Sequence, residues 1–303
     1  MRTFIVVAAL AWALPSQAQL LVTAVDRVAV AEDRAWGGVR FSPDGGRLFL
    51  TPPDFRGIWE HTIATGALRA ITTDQGSGFG FAVSDDGTRL AYRRTSYDET
   101  SRTRRQEIVA VDLATGVSET LGAGKNIATP AFAGNQVIIR IDDRDLAAPV
   151  SDAGATVVLG IEQMKIAVVS GGVRRLLEPL GAGRYVWPAL SPDRSRLAGY
   201  ELVQGAFVCG LDGSGVVMIG PYRAPAWTRD GLWVVCMDDR DDGRQYTGSR
   251  LVAVDRDGGR PVELPGTDAI NAMYPACSPA EDMIACVSMT GELYVVRYTT
   301  EAR

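Results

Sequence analysis

His61 is the only histidine among 303 residues, and that count decides much of the chemistry open to the chain. A metal centre built on several imidazoles has no ligands here, and a Ser-His-Asp arrangement would have to use this single ring. When the closing turns of neighbouring segments are aligned, His61 takes the place of Val111, Cys209 and Val254, so it is expected as a packed core side chain. The cysteines read the same way. Cys236 closes the apolar run Trp233–Cys236, Cys286 lies within Ile284–Val287 and Cys209 follows Phe207 and Val208, with one disulfide left open if the compartment is oxidising. The carboxylates cluster best at Asp238–Gly243, yet Arg240 stands where a Ca²⁺ loop wants its third-position ligand. Asp142-Asp143-Arg144-Asp145 repeats Asp238-Asp239-Arg240-Asp241, a pattern of Asp–Arg pairs that would order two loops. No metal and no other cofactor is expected.

Thirty-one basic residues stand against 36 acidic ones, a net charge of −5, and the basic residues are scattered, which excludes a nucleic-acid-binding surface. A hydrophobic share of 46% supports a real core, and 22% charged residues are too few for a disordered chain. Arg2 precedes the apolar run Phe4–Leu14, and Ser16 and Ala18 supply the small residues that a signal peptidase accepts. Residues 1–18 are therefore read as a signal peptide and 19–303 as one domain. The apolar run is shorter than the roughly 20 residues a membrane-spanning helix needs. No transmembrane segment is expected, and the location is periplasmic or secreted.

The elements that would position any chemistry come from an internal repeat. Phe41-Ser42-Pro43-Asp44-Gly45, Val83-Ser84-Asp85-Asp86-Gly87 and Leu190-Ser191-Pro192-Asp193 are its clearest copies. Weaker copies are Phe132-Ala133-Gly134-Asn135, Trp227-Thr228-Arg229-Asp230-Gly231 and Cys277-Ser278-Pro279-Ala280. Pro130-Ala131, Pro188-Ala189, Pro225-Ala226 and Pro275-Ala276 precede four of the six. Each copy is a hairpin turn, in which Pro presets φ, Asp bonds nearby backbone and Gly takes a positive φ. The returning strand is continuously apolar, as in Leu48–Leu50, so both of its faces must be covered. A third strand and a short fourth complete each unit.

Equivalent turn positions lie 37 to 58 residues apart. Four-stranded units of this kind cover one another's faces by standing around an axis, which predicts an all-β, six-bladed propeller of antiparallel blades. The last unit has only three strands, ending near Leu293–Tyr298, so Leu20–Val25 is expected to supply its outer strand and close the ring.

The pattern Pro-x-apolar-Ser-Pro-Asp-Gly, Arg-Leu, an apolar strand, Asp-Arg-Asp and a strand ending Asp-Gly-Gly resembles the TolB-type propeller repeat. It is carried here by Phe41–Leu50, Leu190–Ala198, Asp239–Gly243 and Val254–Gly259. The resemblance covers the chain after the leader, without the additional N-terminal α/β domain of TolB itself. It implies a propeller of the kind found in binding modules, peptidase lids and enzymes. The peptidases of this type carry an α/β-hydrolase domain, and there is no Gly-x-Ser-x-Gly elbow here.

The turns are short and uniform, whereas the loops after the second strand are uneven: Pro52–Gly57, Arg94–Gln106, Asp142–Gly160 and Asp238–Ser249. They carry Phe55, Arg56, Tyr97, Arg104, Arg144, Arg240 and Tyr246, aromatic and arginine side chains of the types that dominate recognition surfaces. Trp187 and Tyr274 are expected at the channel mouth. The innermost strands are poor in carboxylates, so the reading is a non-catalytic binding or scaffolding module that engages an envelope protein or glycan through its long-loop face. The alternative is a small Ca-dependent hydrolase or lyase with acidic residues at the channel mouth.

Overall fold

The computed structural model describes residues 19–30, 34–99, 102–142, 144–145 and 156–301. The signal-peptide reading, Asp143 and most of the loop at 142–160 lie outside the described residues. Among those described there is no helix, and none long and apolar enough to cross a membrane.

Six blades stand around the axis. Blade 1 is Gly38–Phe41, Arg47–Thr51, Ile58–Thr62 and Leu68–Thr72. Blade 2 is Ala82–Val83, Arg89–Asp98, Thr103–Asp112 and Ser118–Gly124. Blade 4 is Tyr185–Leu190, Arg196–Glu201, Gly205–Gly210 and Val217–Gly220, and blade 5 is Arg223–Trp227, Trp233–Asp241, Tyr246–Asp255 and Val262–Glu263. Blade 6 joins Ala272–Cys277, Met283–Ser288 and Leu293–Glu301 to Gln19–Arg27, which pairs antiparallel with the last strand and closes the ring. The second strands are buried on both faces, as in Met283–Ser288, and among the described residues they contribute to seven apolar clusters, most of them between neighbouring blades.

Blade 3 departs from the four-stranded pattern. Ala131–Ala133 and Gln136–Ile138 form a hairpin of their own, while Thr156–Glu162, Lys165–Ser170 and Val173–Leu177 form a separate three-stranded sheet. One face of the hairpin, with Phe132, Val137 and Ile139, packs on blade 2; the other, with Ala131 and Ile138, packs on Val157, Leu159, Ala167 and Val169. The longest repeat interval, 58 residues, thus contains an extra strand that doubles the second position of the blade.

The repeated turn works through a hydroxyl. Ser84 Oγ donates to Asp86 at 2.7 Å and accepts from the Arg89 N–H at 2.9 Å, and the same pair of bonds recurs at Ser191, Asp193 and Arg196 and at Thr228, Asp230 and Trp233. The carboxylate also accepts a backbone N–H two residues on, which with the hydroxyl holds the Asp193 carboxyl down at about 2. Arg194 stands at φ +57 where the first turn has Gly45 at φ +72, a strained choice that its ion pair with Asp85 at 2.7 Å accompanies.

His61 is buried between the paired positions Leu48 and Leu68, and its Nδ1 has no partner among the described residues. Burial depresses its pKa from 6.5, so the folded chain holds the ring neutral while the unfolded chain protonates it. Folding stability is therefore complete above about pH 6.5 and falls as the pH drops below it, by up to about 1.4 kcal/mol per pH unit until the folded pKa is reached. Urea unfolding at pH 7.5 and 5.5 is expected to show this loss in the native chain and not in His61→Leu. Equal losses in both would remove His61 as the cause.

Candidate functional site

The long-loop face carries a cleft of about 670 Å³ between blades 1 and 2. Its first wall is the segment 52–57, closed by the Phe55 N–H donating to the Pro52 carbonyl at 3.0 Å. Phe55 sits at φ +55, a left-handed conformation that is costly for an aromatic residue, and it remains 38% exposed. The chain stays there because the glycine-rich link between the blades packs against it. The Gly78 N–H donates to the Phe55 carbonyl at 3.1 Å, and a Cβ at Gly78 would stand 2.9 Å from Thr51. This contact sets Phe79 edge-on to Phe55, ring centroids 5.3 Å apart, and the Arg93 guanidinium lies 5.3 Å from the Phe79 centroid.

The second wall is a correction to the sequence reading. The segments 94–106 and 238–249 are not open loops: the flanking strands run on as ladders, pairing Tyr97 with Arg104 and Arg240 with Gly248. Opposite charges fasten the first hairpin, with Arg94 at 2.7 Å from Glu107 and 3.7 Å from Asp74. Tyr92 donates to Asp74 at 2.7 Å, its phenol pushed up to about 12 chiefly by burial. Because strand side chains alternate, Arg93, Thr95 and Tyr97 share the cleft face with Arg104 across the ladder.

The cleft is aromatic and cationic. Tyr97 is 61% exposed and Phe79 51%. Arg93 donates to the Ile127 carbonyl at 2.9 Å, while its buried Nε has no partner among the described residues. Burial, and then the charge of Arg104, pull the Arg93 pKa down. Asp54 also lines the cleft, and its carboxylate accepts the Arg56 N–H at 3.1 Å within its own loop. The arrangement sets two guanidinium groups beside exposed aromatic rings in one recess.

Of the residues singled out from sequence, the cleft unites Phe55, Tyr97 and Arg104. Arg56 lines an adjoining depression of about 490 Å³ with Arg34 and Pro53. Arg144 lies on the short hairpin Arg140–Ile141 with Arg144–Asp145, and Arg240 at the outer end of the blade 5 hairpin. Trp187, Tyr246 and Tyr274 belong to a second grouping on blades 4 to 6. There Trp187 packs at a tilt against Tyr200, ring centroids 5.7 Å apart, Arg223 binds Tyr200 and Asp239, and Tyr246 bonds to Tyr274, whose phenol burial pushes up to about 12. Burial raises the Asp239 carboxyl against the pull of Arg223. Trp187, Ala224 and Tyr274 each precede a Pro-Ala pair at φ near +50, where the ladder shifts register, so the repeated dipeptide marks a bulge.

Phe79 and Arg93 were not legible as site residues. The only signal was the run Gly76-Ser77-Gly78-Phe79-Gly80, which permits a close approach without naming its partner. The acidic run of blade 5 pairs with arginines from neighbouring strands, Asp238 with Arg250 at 2.9 Å and Asp239 with Arg223, whereas Asp142 accepts the backbone N–H groups of Lys125 and Asn126 at 3.0 and 2.8 Å. Among the described residues no three His, Cys, Asp or Glu side chains converge, and all four cysteines are free thiols.

No protein-family model and no curated protein matches the sequence. Among solved structures, the chain is similar to the β-propeller domain of Cps50 (Swd1) from Myceliophteria thermophila, at 12% identity and TM-score 0.64, over 91% of this chain and 100% of that one. It is similar to TolB from Acinetobacter baumannii at 16% identity and TM-score 0.54, over 80% of this chain and 57% of that one. An oligogalacturonate lyase in complex with manganese matches at 15% identity and TM-score 0.51, over 88% of this chain and 78% of that one. These likenesses establish the propeller fold.

Proposed function

We propose that residues 19–303 form a single exported, non-catalytic binding module of a cell envelope, periplasmic or secreted, which engages a protein partner through the cleft between blades 1 and 2. One observation carries this reading: exposed Phe55 is held at a costly φ by the packing around it, beside Phe79, Tyr97 and two arginines. A side chain kept strained and exposed contributes little to folding, which favours a role in recognition. The leader-like residues 1–18 support export.

The test is cross-linked capture with the tagged full chain in the producing cell, compared with the double variant Phe55→Gly/Tyr97→Ser. Glycine relieves the strained φ, so the variant is expected to fold at least as well as the native chain and to lose its cross-linked partner. Identical capture by both proteins would overturn the cleft as the binding face. N-terminal sequencing of the exported protein is expected to begin at Gln19, and accumulation of the unprocessed chain in the cytoplasm would overturn export.

A further inference from the structure

We infer that the cleft takes an extended acidic peptide segment that adds as a strand to the open edge of the blade 2 hairpin at Thr95–Tyr97. This rests on the binding reading above and names the partner's chemistry.

The Thr95 N–H donates to the Gln75 carbonyl at 3.0 Å, so its backbone groups face away from the paired strand Thr103–Asp112. Antiparallel pairing alternates, which places the Tyr97 N–H and carbonyl on that same outer edge. Among the described residues neither has a backbone partner, because the chain reaches this edge only at Gln75 and runs from there toward Ala82, opposite Ala91. An unpaired donor and acceptor in line, beside a recessed surface, form the template on which a peptide strand is added.

Charge and shape then select the peptide. A strand paired at Tyr97 would set alternate side chains on the face that carries Arg93, Tyr97 and Arg104. Carboxylates at those positions meet the guanidinium groups of Arg93 and Arg104. An aromatic side chain two positions along meets the edge-on pair Phe55 and Phe79. An anionic sugar would satisfy the arginines and stack on the rings, but it would leave the in-line backbone groups of Tyr97 without a matching ladder, which favours a peptide.

The probe is the blocked, fluorescein-labelled peptide Ser-Glu-Ser-Phe-Ser-Glu-Ser, titrated against the full chain at low salt by fluorescence anisotropy. Replacing both glutamates by lysine, methylating alternate backbone amides, or changing Arg104→Gln is each expected to weaken binding about tenfold. Arg260→Gln, on an exposed turn away from the cleft, is expected to leave it unchanged. Arg104→Glu is expected to bind the lysine peptide better than the glutamate peptide, so the charge test survives if one variant folds poorly. Equal binding of the two charge forms, or indifference to amide methylation, would overturn the inference. Displacement by trigalacturonate at equal or lower concentration would also overturn it and assign the cleft to anionic sugars. If Phe55→Gly/Tyr97→Ser loses its cellular partner while this peptide fails to bind, strand addition falls and the binding module stands.

Discussion

Deleting residues 19–27 from the domain 19–303 is expected to abolish cooperative unfolding. This strand pairs with the last one along its length, from Gln19 opposite Glu301 to Arg27 opposite Tyr294, with one register shift at Val22/Ala24. Leu20 is 2% exposed and packs with Trp233 and Val235 of blade 5 as well as Ile284 and Val296 of blade 6. The deletion therefore uncovers the joint between two blades and strips blade 6 of its outer strand. Leu20→Ala alone should cost about 2–4 kcal/mol through lost burial and the cavity left behind. Loss of the whole strand approaches the roughly 5–15 kcal/mol that holds a typical domain folded. The surface pairs Arg27–Glu292 and Asp26–Arg297 contribute little to this effect, because both are solvated. Urea unfolding followed by tryptophan fluorescence should show a broad transition without a native baseline, and a peptide of residues 19–27 supplied in excess should restore part of it. A truncated chain with the native midpoint and slope would show that the closing strand is dispensable.

The second large effect is expected at Glu60, whose side chain is only 6% exposed between Arg47 at 3.0 Å and Arg69 at 2.8 Å. Both arginines continue into blade 2, Arg47 to the Gly87 carbonyl at 2.9 Å and Arg69 to the Leu113 carbonyl at 2.6 Å. The carboxylate thus holds two cations that tie blade 1 to both turns of blade 2. Glu60→Gln keeps the shape but removes the charge, leaving two guanidinium groups facing each other in a poorly solvated gap. Breaking a buried pair from one side costs about 3–5 kcal/mol, and the partial exposure of both arginines places this site near the lower end. The exposed pair Arg89–Glu119 provides the contrast, since Glu119→Gln should cost about 0–1 kcal/mol. Equal midpoint shifts for the two variants in thermal unfolding would refute the distinction. The same blade junction carries the cleft, so Glu60→Gln is also expected to weaken peptide binding without touching a cleft residue.

The residues of the site were legible singly but not together. Phe55, Tyr97 and Arg104 stand out as exposed types near uneven connections, but nothing local relates residue 55 to residue 97. Phe79 and Arg93 escaped because one sits in a glycine-rich link and the other inside a strand. Their approach depends on Gly78 and Phe55 meeting through backbone atoms across two blades. Arg94–Gln106 read as a loop because its composition is polar, and cross-strand pairs such as Arg94 with Glu107 make it a ladder instead. A strand wetted on both faces carries no apolar pattern that could announce it.

By itself the sequence determined the repeat, the doubly buried second strands and the closure of the last blade by the first strand, since each follows from short-range turn chemistry and from apolar runs that must be covered. Only the tertiary structure decided the doubled strand in blade 3, the bulge at the Pro-Ala pairs of blades 4 to 6 and the cleft itself. Those features depend on which backbone edges and side chains meet across blades, and such meetings are set by the packing of the ring rather than by any stretch of chain.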